Sequence, residues 1–142
     1  MTTETVTTET VTTTPAPAPG GTPARRRTAD LGRRGEDLAA AHLERRGLVV
    51  LSRNWRCRDG ELDIVATDGD GLVFCEVKTR AGPGWGQPVE VLTEAQRRRI
   101  HLAALAWMTA FRVPWCPIRF DLVGVTWPHD GPAHLQHVEG AF

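Results

Sequence analysis

The stretch Gly60–Thr79, GELDIVATDGDGLVFCEVKT, predicts two β-strands joined by a tight turn. Apolar and β-branched residues fill both ends, and the turn-forming residues Asp68–Gly71 lie between them. If the strands pair about that turn, Asp63 lies near Glu76 and can point to the same face. The two-residue period of a strand places Lys78 beside Glu76. The hairpin therefore predicts two carboxylates that converge beside one amine.

Acidic pairs of this kind are typical of sites for Mg²⁺ or Mn²⁺, which prefer oxygen ligands and often bridge to substrate phosphate. Such a metal polarises a phosphodiester and lowers the pKa of a bound water. Asp63 and Glu76 are the predicted ligands. Lys78, the only lysine in the chain, would orient the water or offset charge that develops on the phosphate. The same residues also fit a polar sheet face with a cross-strand ion pair, and spacing alone leaves both interpretations open.

Helical and strand patterns surround this hairpin. The first helix is predicted from Asp30 to Arg46, with Gly47 as its C-terminal stop. It carries Glu36 near the edge of its buried face, where the side chain could reach the sheet or simply face solvent. Thr93–Gln96 fits the capping box that starts a second helix. Further strands are predicted at 48–55, 118–125 and 135–138, and the apolar stripe of the second helix comprises Ile100, Ala104, Trp107 and Phe111.

Basic and aromatic residues near the hairpin are candidate nucleic-acid contacts. Phosphate contacts are predicted at Arg80, Arg97, Arg98 and Arg99, and Trp85, in a loop rich in Gly and Pro, could stack on a base. His134 and His137 have a spacing that would align metal ligands on a helix. Their flanking Leu135 and Val138 favour a strand or loop instead, so both histidines are expected to be ordinary surface residues.

Composition sets the class of protein. Residues 1–28, rich in Thr, Pro and Ala, are expected to form a disordered tail, and residues 29–142 one domain. The formal net charge is zero, so nucleic-acid binding would depend on a local basic surface. The three cysteines lack zinc-type spacing. No segment approaches the roughly 20 apolar residues needed to span a bilayer. A soluble, cytoplasmic protein with no membrane association is expected.

Several motifs, in order, resemble the YraN-like uncharacterised bacterial protein family, which is assigned to the restriction-endonuclease-like, or PD-(D/E)xK, nuclease superfamily. The motifs are Gly35-Glu36, Gly60–Val65, Val73–Arg80, Arg119–Val123 and the ending Val138–Phe142, and the resemblance runs from about Asp30 to Phe142. It implies an α/β protein with a three-layer α/β/α restriction-endonuclease-like core and a mixed central sheet.

The resemblance also assigns roles. The superfamily's metal-binding acids fall on Asp63 and Glu76 and its lysine on Lys78, and Glu36 matches a helix glutamate of resolvase-like members. Leu62 stands where the superfamily's naming proline would be. The resulting hypothesis is a Mg²⁺- or Mn²⁺-dependent nuclease that cleaves DNA, with selectivity for branched or damaged structures and a homodimer as the expected assembly.

Two other hypotheses remain open at the level of sequence. The alternative is a catalytically silent nucleic-acid-binding protein of the same fold, acting in DNA recombination, repair or uptake. The third is a structural adaptor whose acids are merely paired with arginines.

Overall fold

A mixed six-stranded sheet with a helix on each face forms the part of the chain that this computed structural model describes, residues 5–11, 24–82, 92–128 and 131–142. The elements are β1 (Thr5–Val11), α1 (Ala24–Arg45), β2 (Val49–Cys57), β3 (Gly60–Thr67), β4 (Leu72–Ala81), α2 (Glu94–Ala110), β5 (Ile118–Trp127) and β6 (Ala133–Glu139). The strand order is β1-β6-β5-β4-β3-β2, in which β4 and β5 are parallel and the other neighbours are antiparallel. The predicted α/β/α core with a mixed sheet is confirmed.

The two sheet faces form separate cores because successive strand residues point in opposite directions. On one face Ala39 and Leu43 of α1 pack with Cys75 and Val123. On the other face Ile100 and Trp107 of α2 pack with neighbouring strand residues, among them Phe74 and Leu122. The central strands β4 and β5 are thus covered on both sides.

The predicted hairpin is confirmed, and its turn fixes the register. Asp68 Oδ1 accepts hydrogen bonds from the backbone N–H groups of Asp70 and Gly71, at 2.9 and 2.8 Å. These bonds to the charged form lower the pKa of Asp68. From the turn, the ladder runs from Thr67 opposite Leu72 to Ile64 opposite Cys75. Asp63 and Glu76 follow immediately after this last pair.

Both helix ends that the sequence marks have the predicted chemistry. Gly47 has a φ of 88°, and the N–H of Leu48 donates to the carbonyl of Leu43 at 3.1 Å, which closes α1 with a Schellman motif. The capping box of α2 is present with Thr93 as its N-cap. The predicted stripe of α2 is buried at Ile100, Ala104 and Trp107. Phe111 departs from it: it is 54% exposed, because it caps the helix beyond the last turn that faces the sheet.

Within residues 1–28, expected to form a disordered tail, the structure describes residues 5–11 and 24–28, and these are regular. Residues 5–11 form β1, which pairs antiparallel with the edge of β6, and α1 begins at Ala24 instead of Asp30. The β-branched Thr and Val residues of β1 suit an extended strand. Glu9 also forms an ion pair with Arg45 of α1 at 2.7 Å. The backbone partner of this segment lies more than 120 residues away, so no local turn signal announces it.

His137 is a second correction, because it is fully buried instead of lying at the surface. Its Nε2 lies 2.8 Å from Asp121 Oδ2, and its Nδ1 lies 3.0 Å from His42 Nε2. Asp121 also accepts hydrogen bonds from Arg119 and from the backbone N–H of Gly140. These bonds lower the pKa of Asp121 against the effect of its burial. The network links β5 to β6 and gives the buried carboxylate of Asp121 the hydrogen-bond partners that it needs.

No helix within the described ranges is long and apolar enough to cross a membrane.

Candidate active site

Asp63 is held where the β3/β4 ladder ends. Its Oδ2 accepts a hydrogen bond of 2.9 Å from the backbone N–H of Val77. The Asp63 side chain therefore satisfies a backbone N–H group of β4 next to Glu76. Each of these two carboxylates is close enough to shift the pKa of the other. The predicted convergence of these two acids is confirmed.

The regular alternation predicted for β3 breaks at this point. Leu62 packs in the core under α2, whereas Ile64 packs in the core under α1, although the two-residue period of a strand would place them on one face. Across from Asp63, between the pairs Arg53/Ile64 and Trp55/Leu62, Asn54 has a φ of 50°. The left-handed backbone of Asn54 accompanies this local change in strand direction.

The acidic pair binds a proton more tightly than two solvated carboxylates would. Burial, followed by the charge and hydrogen bond of Asp63, raises the pKa of Glu76 to about 8. Burial also raises the pKa of Asp63, in spite of its hydrogen bond from Val77. Two adjacent, partly buried carboxylates cannot both ionise cheaply, so ionisation of one raises the pKa of the other.

Lys78 lies near Glu76 of this pair, and Glu36 lies near Asp63. Lys78 Nζ lies 3.7 Å from Glu76 Oε1, as the period of β4 predicted. Glu36 comes from α1, and the side chain of Asn54 is close enough to lower its pKa against the larger effect of burial. Burial first, and then the charge of Asp63, raise the pKa of Glu36. Glu36 is therefore close enough to the pair to interact with it electrostatically.

Tight packing of α1 against β4 accounts for the glycine that precedes Glu36. A Cβ at Gly35 would lie 2.9 Å from Thr79 Cβ and closer still to its hydroxyl. Only glycine therefore permits this distance between the helix and the strand. The Gly35-Glu36 motif thus combines a packing requirement with an acid directed toward the sheet.

An open pocket of about 270 Å³ adjoins the acidic pair. Its lining residues are Gly60, Glu61, Asp63, Glu76, Gln96, Arg99 and Ile100. Of the predicted nucleic-acid contacts, only Arg99 lines this pocket among the described residues. Arg80, Arg97 and Arg98 lie outside the lining, and Trp85 lies outside the described residues. Sequence analysis missed Gln96 here, because it recognised this residue only as part of a cap.

The donor set fits a hard divalent cation that keeps most of its water. Within the described ranges, no three His, Cys, Asp or Glu side chains are gathered into a metal-binding group. Two adjacent carboxylates beside an open pocket are nevertheless a suitable anchor. Mg²⁺ is commonly bound by one or two carboxylates, with water and substrate phosphate as its other ligands.

The fold and site together define a three-layer α/β protein with two acids and a lysine at the end of its central hairpin. The model of the uncharacterised protein family UPF0102 matches residues 35–125, and the chain belongs to this family. This confirms the resemblance to the YraN-like uncharacterised family.

Bacterial relatives match over most of their own length. A UPF0102 protein of Clavibacter michiganensis subsp. michiganensis is 47% identical over 115 residues, which cover 81% of this chain and 98% of the relative. One from Rhodococcus opacus is 46% identical, covering 79% of this chain and 95% of the relative. One from Acidothermus cellulolyticus is 49% identical, covering 79% of this chain and 92% of the relative.

Proposed function

We propose that this chain is a metal-dependent nuclease that hydrolyses phosphodiester bonds, with DNA as its substrate. The observation that carries the proposal is the adjacent pair Asp63 and Glu76, partly buried beside an open pocket, with Lys78 3.7 Å from Glu76. A surface ion pair with no further role would not need two adjacent acids whose pKa values are raised by burial. The resemblance to restriction-endonuclease-like proteins supports the same chemistry.

Each residue has a distinct part in this proposal. Asp63 and Glu76 would hold Mg²⁺ or Mn²⁺. When bound, such an ion polarises a phosphate and makes a nucleophilic water available at neutral pH. The Val77 N–H fixes the orientation of Asp63, and Lys78 places a positive charge where negative charge develops on the phosphate. Glu36, whose pKa is raised by burial, is suited to exchange a proton beside the pair.

The basic residues of α2 supply a surface for the nucleic-acid backbone. Arg99 lines the pocket, and the exposed Arg98 adjoins it along the helix. Such residues would hold phosphates without reading bases, which suits selectivity for the shape of a branched or damaged DNA. A homodimer would offer two such sites to one branched substrate.

The test is a cleavage assay on labelled single-stranded, duplex, flapped and four-way-branched DNA and on RNA, with Mg²⁺, Mn²⁺ or EDTA. Wild type is compared with Asp63→Asn and Lys78→Ala. Glu44→Gln is the matched control, because it removes an exposed carboxylate at the far end of α1. All proteins are purified in parallel, and their folding is checked by thermal melting.

Cleavage that needs the metal and is lost in both site variants, but not in Glu44→Gln, would support the proposal and identify the substrate class. DNA binding without metal-dependent cleavage would favour the catalytically silent nucleic-acid-binding protein. Neither binding nor cleavage would refute both and leave the structural adaptor.

A further inference from the structure

Gln96 lines the pocket, and its amide oxygen is engaged by the cap that starts α2. Gln96 Oε1 accepts a 2.8 Å hydrogen bond from the backbone N–H of Thr93, and the N–H of Gln96 donates to Thr93 Oγ1 at 3.1 Å. Since an N–H needs an acceptor, the first bond identifies which end of the amide is the oxygen. The amide NH₂ of Gln96 has no acceptor among the described residues, and Gln96 lines the pocket.

Arg99 places a second donor on the same wall. It lies three residues after Gln96, on the same face of α2, and also lines the pocket. An added Cβ at Gly60 would meet Arg99 at 3.5 to 3.6 Å, so the start of β3 packs closely on this turn of the helix. The helix wall with its donors is therefore held next to the strand wall with its acids.

The two walls have complementary chemistry. Asp63, Glu76 and Glu61 offer only acceptors when ionised, which suits a cation, whereas the amide NH₂ of Gln96 and the guanidinium of Arg99 are donors, which suits an anion. A phosphate that enters a pocket lined by carboxylates must be compensated by donors nearby. The capping box holds the Gln96 side chain in place, so little entropy is lost when it binds a ligand.

We propose that Gln96 is a phosphate-binding residue, whose Nε2 donates to a phosphate oxygen of a nucleic-acid strand in this pocket, with Arg99 beside it. This inference rests on the proposed function and assigns Gln96 a role distinct from capping. The chain allows the two roles to be separated. Gln96→Glu keeps an acceptor for the Thr93 N–H and thus the capping box, but replaces the donor with a negative charge. Thr93→Ala removes only the hydroxyl that caps the helix. The backbone N–H of residue 93 remains and can still donate to Gln96 Oε1.

The experiment measures thermal melting and the affinity for fluorescein-labelled single-stranded, duplex and four-way-branched DNA, with Ca²⁺ in place of Mg²⁺ so that the DNA stays intact. Gln96→Glu should bind the preferred DNA at least about tenfold more weakly, because a hydrogen bond to an anion is lost and a repulsive charge is added. Thr93→Ala should melt lower and bind like wild type. Gln96→Ala should lose stability as Thr93→Ala does, but should also lose affinity.

Equal DNA affinity of Gln96→Ala and Thr93→Ala would overturn the inference, as would wild-type affinity in Gln96→Glu. A wild type that binds none of these DNAs would also overturn it. The proposed function fails in a different way: if Asp63→Asn cleaves normally, the nuclease site is wrong, whereas the affinities of the Gln96 variants still report on phosphate binding.

Discussion

Glu76→Gln should remove most of the pH dependence that the acidic pair imposes on the stability of the metal-free protein. Burial first, and then the charge of Asp63, raise the pKa of Glu76 from its ordinary value of 4.5 to about 8. The folded chain therefore holds a proton that the unfolded chain releases. The stability from this proton is complete below pH 4.5 and is lost progressively as the pH rises toward about 8.

The size of the effect follows from the shift. Each pKa unit corresponds to about 1.4 kcal/mol, so between about pH 5 and about pH 8 the wild type should lose about 3 kcal/mol of unfolding free energy relative to Glu76→Gln. The Glu76 side chain is only 16% exposed, so solvent screening reduces this value little. His42, whose pKa is lowered by burial, titrates in both proteins and cancels in the difference.

Urea unfolding with EDTA, followed by tryptophan fluorescence across this pH range, measures the difference directly. Glu44→Gln is the control and should keep the wild-type dependence. Adding Mg²⁺ near the upper end of the range should stabilise wild type and not Glu76→Gln, because the cation replaces the proton at the pair. Parallel pH profiles for wild type and Glu76→Gln would refute the account of a buried pair in which the pKa of Glu76 is raised.

Three further predictions concern helix packing, the buried network and a helix cap. Gly35→Ala should destabilise the fold by about 1–3 kcal/mol, because its methyl group overlaps Thr79, whereas Gly32→Ala, with open space around it, should be neutral or stabilising; chemical unfolding compares the two. Asp121→Ala should cost about 3 kcal/mol in the same assay, because it removes the buried acceptor of its network, and a loss below about 1 kcal/mol would contradict this role. Thr93→Ala should cost about 1 kcal/mol, measured as a shift in urea midpoint with unchanged slope, and no shift would show that the cap contributes nothing.

The sequence by itself determined the features that depend on neighbouring residues. The turn at Asp68–Gly71 and the two-residue strand period together predict the register that brings Asp63 to Glu76. Gly47 and the Thr93–Gln96 box mark helix ends, because the groups that satisfy a helix terminus lie within a few residues of it. These signals are local, so a single chain displays them without its fold.

Only the tertiary structure decided the features that depend on distant residues and on burial. The pairing of β1 with β6 and the burial of His137 join segments far apart in the chain, and no local pattern encodes such contacts. The elevated pKa of Glu76 arises because packing excludes water from a carboxylate that the sequence shows only as one acid of a strand. Gln96 faces these acids because α2 packs on β3, which turns a capping residue into part of the pocket.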